Sequence, residues 1–335
     1  MINVNVLMCW LSIVMVSCNT KHATHDLNYR WSNRELHSPM AKAIGAHQST
    51  CTSPTFLNKR RVEGMGSEFH VYSQALCNSM QANKTLVQIN EIWQWNDPAL
   101  CNSGHHKQPF SCYFNIQTDC PRSDGDQKVH TSNDIGKCLR YIQDFPTRAA
   151  FRASTTEYLF SNLNVALVDE TRKAIGSVFG EQGIPEDLIT VHIRWGDKAI
   201  EMKLVSEVEY FQAIDSVVTN HSITNPHIFV STEESQAVIK LQEQLDKHGK
   251  TWKLHHYAPL IATNTAEHRH RGPNGKNAII ALLLAMEAKY FVITTGSNWS
   301  RVMNELRTNV VDVACGNCTR MVNLRQAHTY QDWRL

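Results

Sequence analysis

The sequence predicts an α/β fold whose C-terminal half is a doubly wound, mostly parallel sheet. Apolar runs at 188–194, 227–231, 252–257, 290–295 and 310–314 are separated by helical periodicity at 206–218, 235–247, 277–288 and 299–307. Strands and helices alternating at that spacing are joined by crossovers, which gives a parallel sheet covered on both faces. The stretch Asn277–Ala288 is apolar nearly all round, as a helix buried in such a sandwich must be.

With 335 residues, 42% hydrophobic and 19% charged, the chain has room for two ordinary globular domains. A formal net charge of +2 makes no electrostatic case for a polyanion, so no nucleic-acid partner is expected.

Taken in order, the chain opens with an uncharged, mostly apolar stretch, Val6–Cys18, short for a membrane span but suited to a signal-peptide core. Val16, Ser17 and Cys18 offer small residues for cleavage. Met1–Asn5 carries no Lys or Arg, which leaves an uncleaved membrane anchor as the other reading of residues 1–20. Both readings route the chain into the secretory pathway, to the Golgi or ER lumen or outside the cell.

Cysteine usage fits that route. Of ten cysteines, Cys9 and Cys18 lie in the apolar stretch, leaving Cys51, Cys77, Cys101, Cys112, Cys120, Cys138, Cys315 and Cys318. An even set suggests disulfides, and Cys315-Gly-Asn-Cys318 is close enough to close on itself. A structural zinc site would want two clustered pairs, and only this one C-x-x-C is present. Asn-x-Ser/Thr sequons at Asn83, Asn220, Asn298 and Asn317 also suit a luminal chain.

Residues 30–185 form a loop-rich, Cys-rich N-terminal half. Within it, Gly64-Met-Gly66-Ser-Glu-Phe-His70 opens a helical pattern through Leu76 and Met80, and Thr85–Ile89 reads as a strand. Glycines at a helix start let the backbone approach an anion where N–H groups and the dipole favour it. No strand is read ahead of these glycines and a third Gly is missing, so a dinucleotide fingerprint does not fit, and a plain tight turn fits as well. Asp124-Gly-Asp126 has the D-x-D form of metal-holding sugar-nucleotide enzymes, but it lies in a polar, turn-forming stretch instead of ending an apolar strand. A solvated turn is the better reading there. Tyr158–Phe179 reads as helix, with Leu159, Leu163, Ala166, Leu167 and Ile175 on its apolar face.

Residues 186–318 form the C-terminal half, followed by a short tail at 319–335. Its first strand places Ile189, Val191 and Ile193 on one face and Thr190, His192 and Arg194 on the other. The pattern then breaks into Trp195-Gly-Asp197-Lys198, and Ser206 with Glu209 forms a capping box before the next helix. Ligands of open α/β sheets bind beyond the carboxyl ends of the strands, where His192, Arg194, Asp197 and Lys198 project. The same charges also fit a solvated ion-pair turn. At the last βα junction, Thr294-Thr-Gly296-Ser297-Asn298-Trp299-Ser300-Arg301 gathers hydroxyls, helix N-terminal N–H groups and Arg301 into an anion site. An ordinary N-cap by Ser297 or Asn298 accounts for it equally.

His192-Ile-Arg-Trp-Gly-Asp-Lys198 resembles the H-x-R-R-x-D-K motif of the α1,6-fucosyltransferases, and Gly296-Ser-Asn-Trp-Ser-Arg301 is similar to their Ser-rich donor loop. Gly66–His70 with Lys84-Thr-Leu86 is similar to their glycine-rich loop, helix and R-T-L strand, and Tyr158-Leu-Phe160 to their Y-L-x helix. The resemblance spans about 60–310. It implies a GT-B-like pair of Rossmann-type halves, with the acceptor on the N-terminal side and the donor on the C-terminal side. It also implies GDP-fucose as donor, an oligosaccharide or glycoprotein acceptor, inversion at the sugar, and no metal or other cofactor. Arg194 takes the place of the essential diphosphate arginine. Asp197 and Lys198 match the motif's acidic residue and lysine, and Ser297 a donor-contacting serine. Glu201 falls where the family keeps its catalytic carboxylate, with one residue fewer between it and Lys198. His192, Asn298, Arg301, Gly64 and Gly66 complete the expected donor site. Trp195 replaces the motif's second arginine, and the family's C-terminal SH3-like domain has no counterpart in the few residues after Val313. Two other readings share these motifs: a protein O-fucosyltransferase, and a secreted lectin-like protein that binds sugar or nucleotide without turnover.

Overall fold

The computed structural model describes residue 31 and residues 35–51, 55–58, 64–88, 93–101, 110–116, 120, 128–130, 145–196, 203–264 and 272–325. The expected α/β architecture is present as two parallel sheets, one of three strands and one of five.

In the first half, helix α1 (Pro39–Gln48) starts where the Ser38 side chain accepts the Ala41 N–H and Pro39 pre-sets the first turn. Strand β1 (Thr55–Asn58) precedes helix α2 (Met65–Gln81), and β2 (Leu86–Gln88) follows it. β1 pairs in parallel with β2 on one side and with β3 (Lys128–His130) on the other. The strand ahead of Gly64 corrects the sequence reading, which placed none there; four residues flanked by polar sequence carry too little pattern to register. α2 is the centre of this half, because the Phe69 ring packs edge-on against Phe110, Phe114 and Phe160 at centroid distances of 5.7–5.9 Å.

The single helix read at 158–179 is two. Helix α3 (Phe145–Phe160) ends, and Asn164 caps α4 (Val165–Phe179) by accepting the Ala166 N–H.

The second half carries β4 (Leu188–His192), α5 (Glu207–Asn220), β5 (His227–Ser231), α6 (Ser235–Lys247), β6 (Lys253–His255), α7 (Pro273–Ala285), β7 (Tyr290–Ile293), α8 (Asn298–Leu306) and β8 (Arg320–Asn323). The sheet order is β6-β5-β4-β7-β8, all parallel. The chain therefore winds outward from β4 in one direction and then in the other, and the reversal falls between β4 and β7. In a doubly wound sheet that switch point opens the crevice in which ligands bind.

Two apolar layers enclose this sheet. Ile189, Val191, Ile214 and Leu241 build one. The other, with Leu188, Phe229, Leu282 and Phe291, is continuous with Phe69, Trp93 and Phe160 of the first half, so one core ties the two sheets together.

The run 310–314, read as a strand, is helical: α8 continues through a wider turn at Arg307–Val311 into Asp312–Cys315. Val-Val-Asp-Val-Ala satisfies strand and helix periodicity alike, and tertiary bonds decide between them. Arg307 Nη1 donates to Asp312 Oδ2 at 2.8 Å, and Asp312 Oδ1 accepts the Thr319 N–H and hydroxyl. The fifth strand is instead β8, within the stretch taken as a tail.

Disulfides join Cys51 to Cys120, Cys101 to Cys112 and Cys315 to Cys318, and Cys77 is disulfide-bonded as well. Cys315, Cys318 and Asp312 lie close enough to hold a cation, but the two sulfurs are bonded to each other and offer no thiolate. The apolar N-terminal stretch, Asp124, Asp126 and Cys138 lie outside the described residues. Among those described, no helix is long and apolar enough to cross a membrane.

Candidate active site

The site forms where two helices from different sheets start against each other. Gly64 is the exposed N-cap of α2, and Ser297 the buried N-cap of α8; neither contributes a side-chain cap bond. A Cβ on Gly66 would lie 3.0 Å from the Trp299 nitrogen and 3.1 Å from the Asn298 carbonyl carbon. Only glycine lets the two helix starts approach this closely. The positive ends of two helix dipoles therefore converge at one place, which favours an anion there.

Side chains lock that junction. Asn298 Nδ2 lies 2.5 Å from Ser67 Oγ, and Asn298 Oδ1 lies 3.1 Å from His70 Nδ1. His70 Nε2 meets Glu305 Oε2 at 3.3 Å, while Arg152 Nε and Thr156 Oγ1 donate to the same carboxylate. His70, Arg152, Asn298 and Glu305 are all buried. Burial pushes His70 below its ordinary pKa, with Glu305 partly offsetting it. Burial alone would raise Glu305, but the His70 and Arg152 charges and the His70 and Thr156 hydrogen bonds outweigh it and bring the carboxyl to about 2. His70 thus ties the Glu305 carboxylate at Nε2 to the Asn298 amide at Nδ1, and through Asn298 to Ser67.

On the sheet side, His192 ends β4. Its Nδ1 lies 2.6 Å from Ser300 Oγ, which also accepts the Thr294 N–H, so the ring fastens the first turn of α8 to the strand end. Burial first, and Arg194 second, lower its pKa to about 3, leaving a neutral imidazole whose Nδ1 accepts the Ser300 hydroxyl. Its carbonyl accepts the Tyr210 hydroxyl.

Arg194 stands just past β4, half-buried, with Nη1 3.2 Å from the Trp195 carbonyl. Trp195 packs against the Ile189–Val191 layer, and its indole N–H donates to Val205 O at 2.8 Å. Tryptophan at the motif's second arginine position is therefore tied to Val205. Asp197, Lys198 and Glu201 lie outside the described residues.

Arg301 turns back into the protein, donating from Nε to Thr295 O at 2.8 Å and from Nη2 to Gly296 O at 3.4 Å. It braces the β7–α8 turn from beneath.

Asn323 and Arg325, which no motif reading picked out, brace the turn from β8. Asn323 accepts the Thr295 N–H at 3.0 Å and donates to the Thr295 hydroxyl at 2.7 Å; Arg325 O accepts the Gly296 N–H. The Arg325 side chain pairs with Glu209 at 2.6 Å. The apolar pair Val322 and Leu324 flanking Asn323 was the available signal, a strand too short to stand out.

Besides His70, three buried or half-buried histidines lower stability in acid. His192 is lowered as above; His227 and His255, 2.9 Å apart, are lowered chiefly by burial. Each folded-state pKa lies below the unfolded value of 6.5, so below that pH the unfolded chain binds more protons and stability falls. His192 alone is expected to contribute a loss of about 2 kcal/mol between about pH 7.5 and pH 5. Urea midpoints measured across that range should fall for the unmodified chain, and a flat profile would contradict the assignment.

No protein-family model matches the chain, and no curated protein matches it. Among solved structures it is similar to POFUT1 in complex with GDP-fucose, at 10% identity and a TM-score of 0.44 over 77% of this chain and 95% of that one. It is also similar to a mutant of Arabidopsis thaliana FUT1 in complex with GDP, at 11% identity and 0.45 over 86% and 74%. A second POFUT1 structure, in complex with GDP, gives 11% and 0.45 over 81% and 98%.

Proposed function

We propose that this chain is a glycosyltransferase that moves fucose from GDP-fucose to a hydroxyl of a glycan or glycoprotein, of the α1,6-fucosyltransferase-like, inverting, metal-independent kind. The observation that carries the reading is the meeting of two helix N-termini at Gly66 and Asn298 at the switch point of the second sheet, with α8 tied through Ser300 to His192 on the strand that leads to Arg194.

Departure of a nucleoside diphosphate needs positive charge fixed on its phosphates before the sugar bond breaks. The helix starts at Gly64 and Ser297 supply it through aligned N–H groups, and Arg194 supplies a guanidinium from the neighbouring strand end. In this proposal Lys198 adds a second cation and Glu201 takes the proton of the attacking hydroxyl, with Asp197 the next candidate for that base. His192, neutral and bonded to Ser300, shapes the wall between Arg194 and the α8 start. The chain works in the secretory lumen, where its disulfides persist.

The test is hydrolysis and transfer with a panel of nucleotide sugars and glycan acceptors, with and without EDTA. GDP-fucose should be turned over and EDTA should leave the rate unchanged. Turnover that requires added Mn²⁺, or that occurs only with another donor, overturns the proposal.

A further inference from the structure

The four sequons fall in very different places. Asn298 is part of the site: its side chain is buried and both amide atoms are engaged, by Ser67 and His70. Asn317 is exposed and at positive φ, but it sits inside the loop closed by Cys315 and Cys318, with its sequon hydroxyl, on Thr319, held by Asp312 at 2.7 Å. That loop closes between residues three apart and needs no distant part of the chain.

Asn83 and Asn220 lie outside both the site and the short Cys315–Cys318 loop. Asn83 is exposed in the turn after α2, at φ 53°, and among the described residues its side chain makes no hydrogen bond. Its sequon partner Thr85 is buried with a hydroxyl that has no hydrogen-bond partner among the described residues, so packing gives no reason for threonine over valine there. Asn220 ends α5 exposed, with its Nδ2 donating only to the Ser216 hydroxyl on the same surface at 3.2 Å among the described residues, and Ser222 two residues on is exposed too.

Both lie at the far ends of the helices they follow. α2 starts at the site and runs 17 residues to Gln81, about 25 Å of helix at the usual rise. α5 starts at Ser206, on the carboxyl side of β4, and its 14 residues carry Asn220 about 20 Å toward the amino ends of the strands. A bulky substituent on either one points into solvent and leaves the site open.

We propose that Asn83 and Asn220 are N-glycosylated and that Asn298 and Asn317 are not. The inference does not depend on the transferase reading. It rests on the exposure of the two side chains outside the site and the Cys315–Cys318 loop, and on the disulfides, which persist in the oxidising compartment where this modification is made. In the transfer, the asparagine Nδ2 bonds to C1 of a lipid-diphosphate-linked oligosaccharide as the C1–O bond to the diphosphate breaks. The lipid diphosphate leaves, and one amide proton passes to the transferring enzyme's base. On Asn298 the sugar would displace Ser67 and His70, so the folded, secreted protein carries none there.

The full chain is expressed in a eukaryotic cell and collected, then released with a peptide N-glycosidase in ¹⁸O-water, which marks each formerly glycosylated asparagine as labelled aspartate for peptide mass spectrometry. Label is expected at Asn83 and Asn220 and at neither other sequon. N83D, which keeps a residue tolerant of the left-handed turn, and N220Q should each remove one step of the gel shift, and the pair should migrate as the deglycosylated protein. Absence of label at Asn83 or Asn220, or label at Asn298 or Asn317, overturns the proposal, and the mass spectrum of the unmodified chain decides this even if a variant is not secreted.

Discussion

Glu305→Ala is expected to cost roughly 3–5 kcal/mol of folding stability, because it leaves the Arg152 guanidinium buried without its counter-charge. Arg152, His70 and Thr156 all direct hydrogen bonds at this carboxylate, and all four residues are buried. Glu305→Gln keeps the shape and an acceptor oxygen but not the charge, so its loss should be smaller and of the same sign. Urea unfolding at neutral pH measures both. The consequence reaches the site as well: His70 links Glu305 to Asn298, and Asn298 links the α8 start to Ser67 on α2. A loss below about 1 kcal/mol for the alanine variant would show that the pair is not the fastening described here.

What the sequence disclosed and what it withheld follow the same physical line. β4 and β5 were legible because buried parallel strands write themselves as continuous apolar runs, and the α5 start was legible because the Ser206–Glu209 box is a local device. The pair of helix starts was legible one at a time, as Gly64-Met-Gly66 and as Gly296-Ser297-Asn298. That they touch was not. The contact depends on residues more than 200 positions apart, as the 228-residue separation of His70 and Asn298 shows. The Glu305 cluster was invisible for the same reason, and a histidine on an apolar helix gives no sign of the carboxylate it will meet. Val310–Ala314 failed differently: its pattern was strong and ambiguous, and Arg307, Asp312 and Thr319 resolve it only once folded. Arg301 had the right type and position for a phosphate ligand, yet the structure directs its Nε and Nη2 to the turn carbonyls of Thr295 and Gly296.

Two substitutions should divide donor binding from chemistry. Arg194→Ala is expected to weaken GDP-fucose binding and to lower kcat/KM further, since a charge-assisted contact to phosphate is worth roughly 1.5–3 kcal/mol and strengthens as the leaving group gains charge. The residue is half-buried beside a sheet end already fixed by His192 and Tyr210, so its loss should leave folding nearly unchanged. Glu201→Gln should act on the other quantity. It preserves size and hydrogen-bonding reach but cannot accept a proton, so donor affinity should survive while kcat falls by about 10² to 10⁴. Calorimetric GDP-fucose binding and steady-state transfer on the same preparations separate the two. Near-full turnover in a folded Glu201→Gln protein would move the base to another group, with Asp197 the next to test. If the unmodified chain binds GDP-fucose but transfers it to no acceptor, the lectin-like reading replaces the enzyme. Trp195, which stands where the motif keeps a second arginine and is tied to Val205, is then the substitution to reverse first.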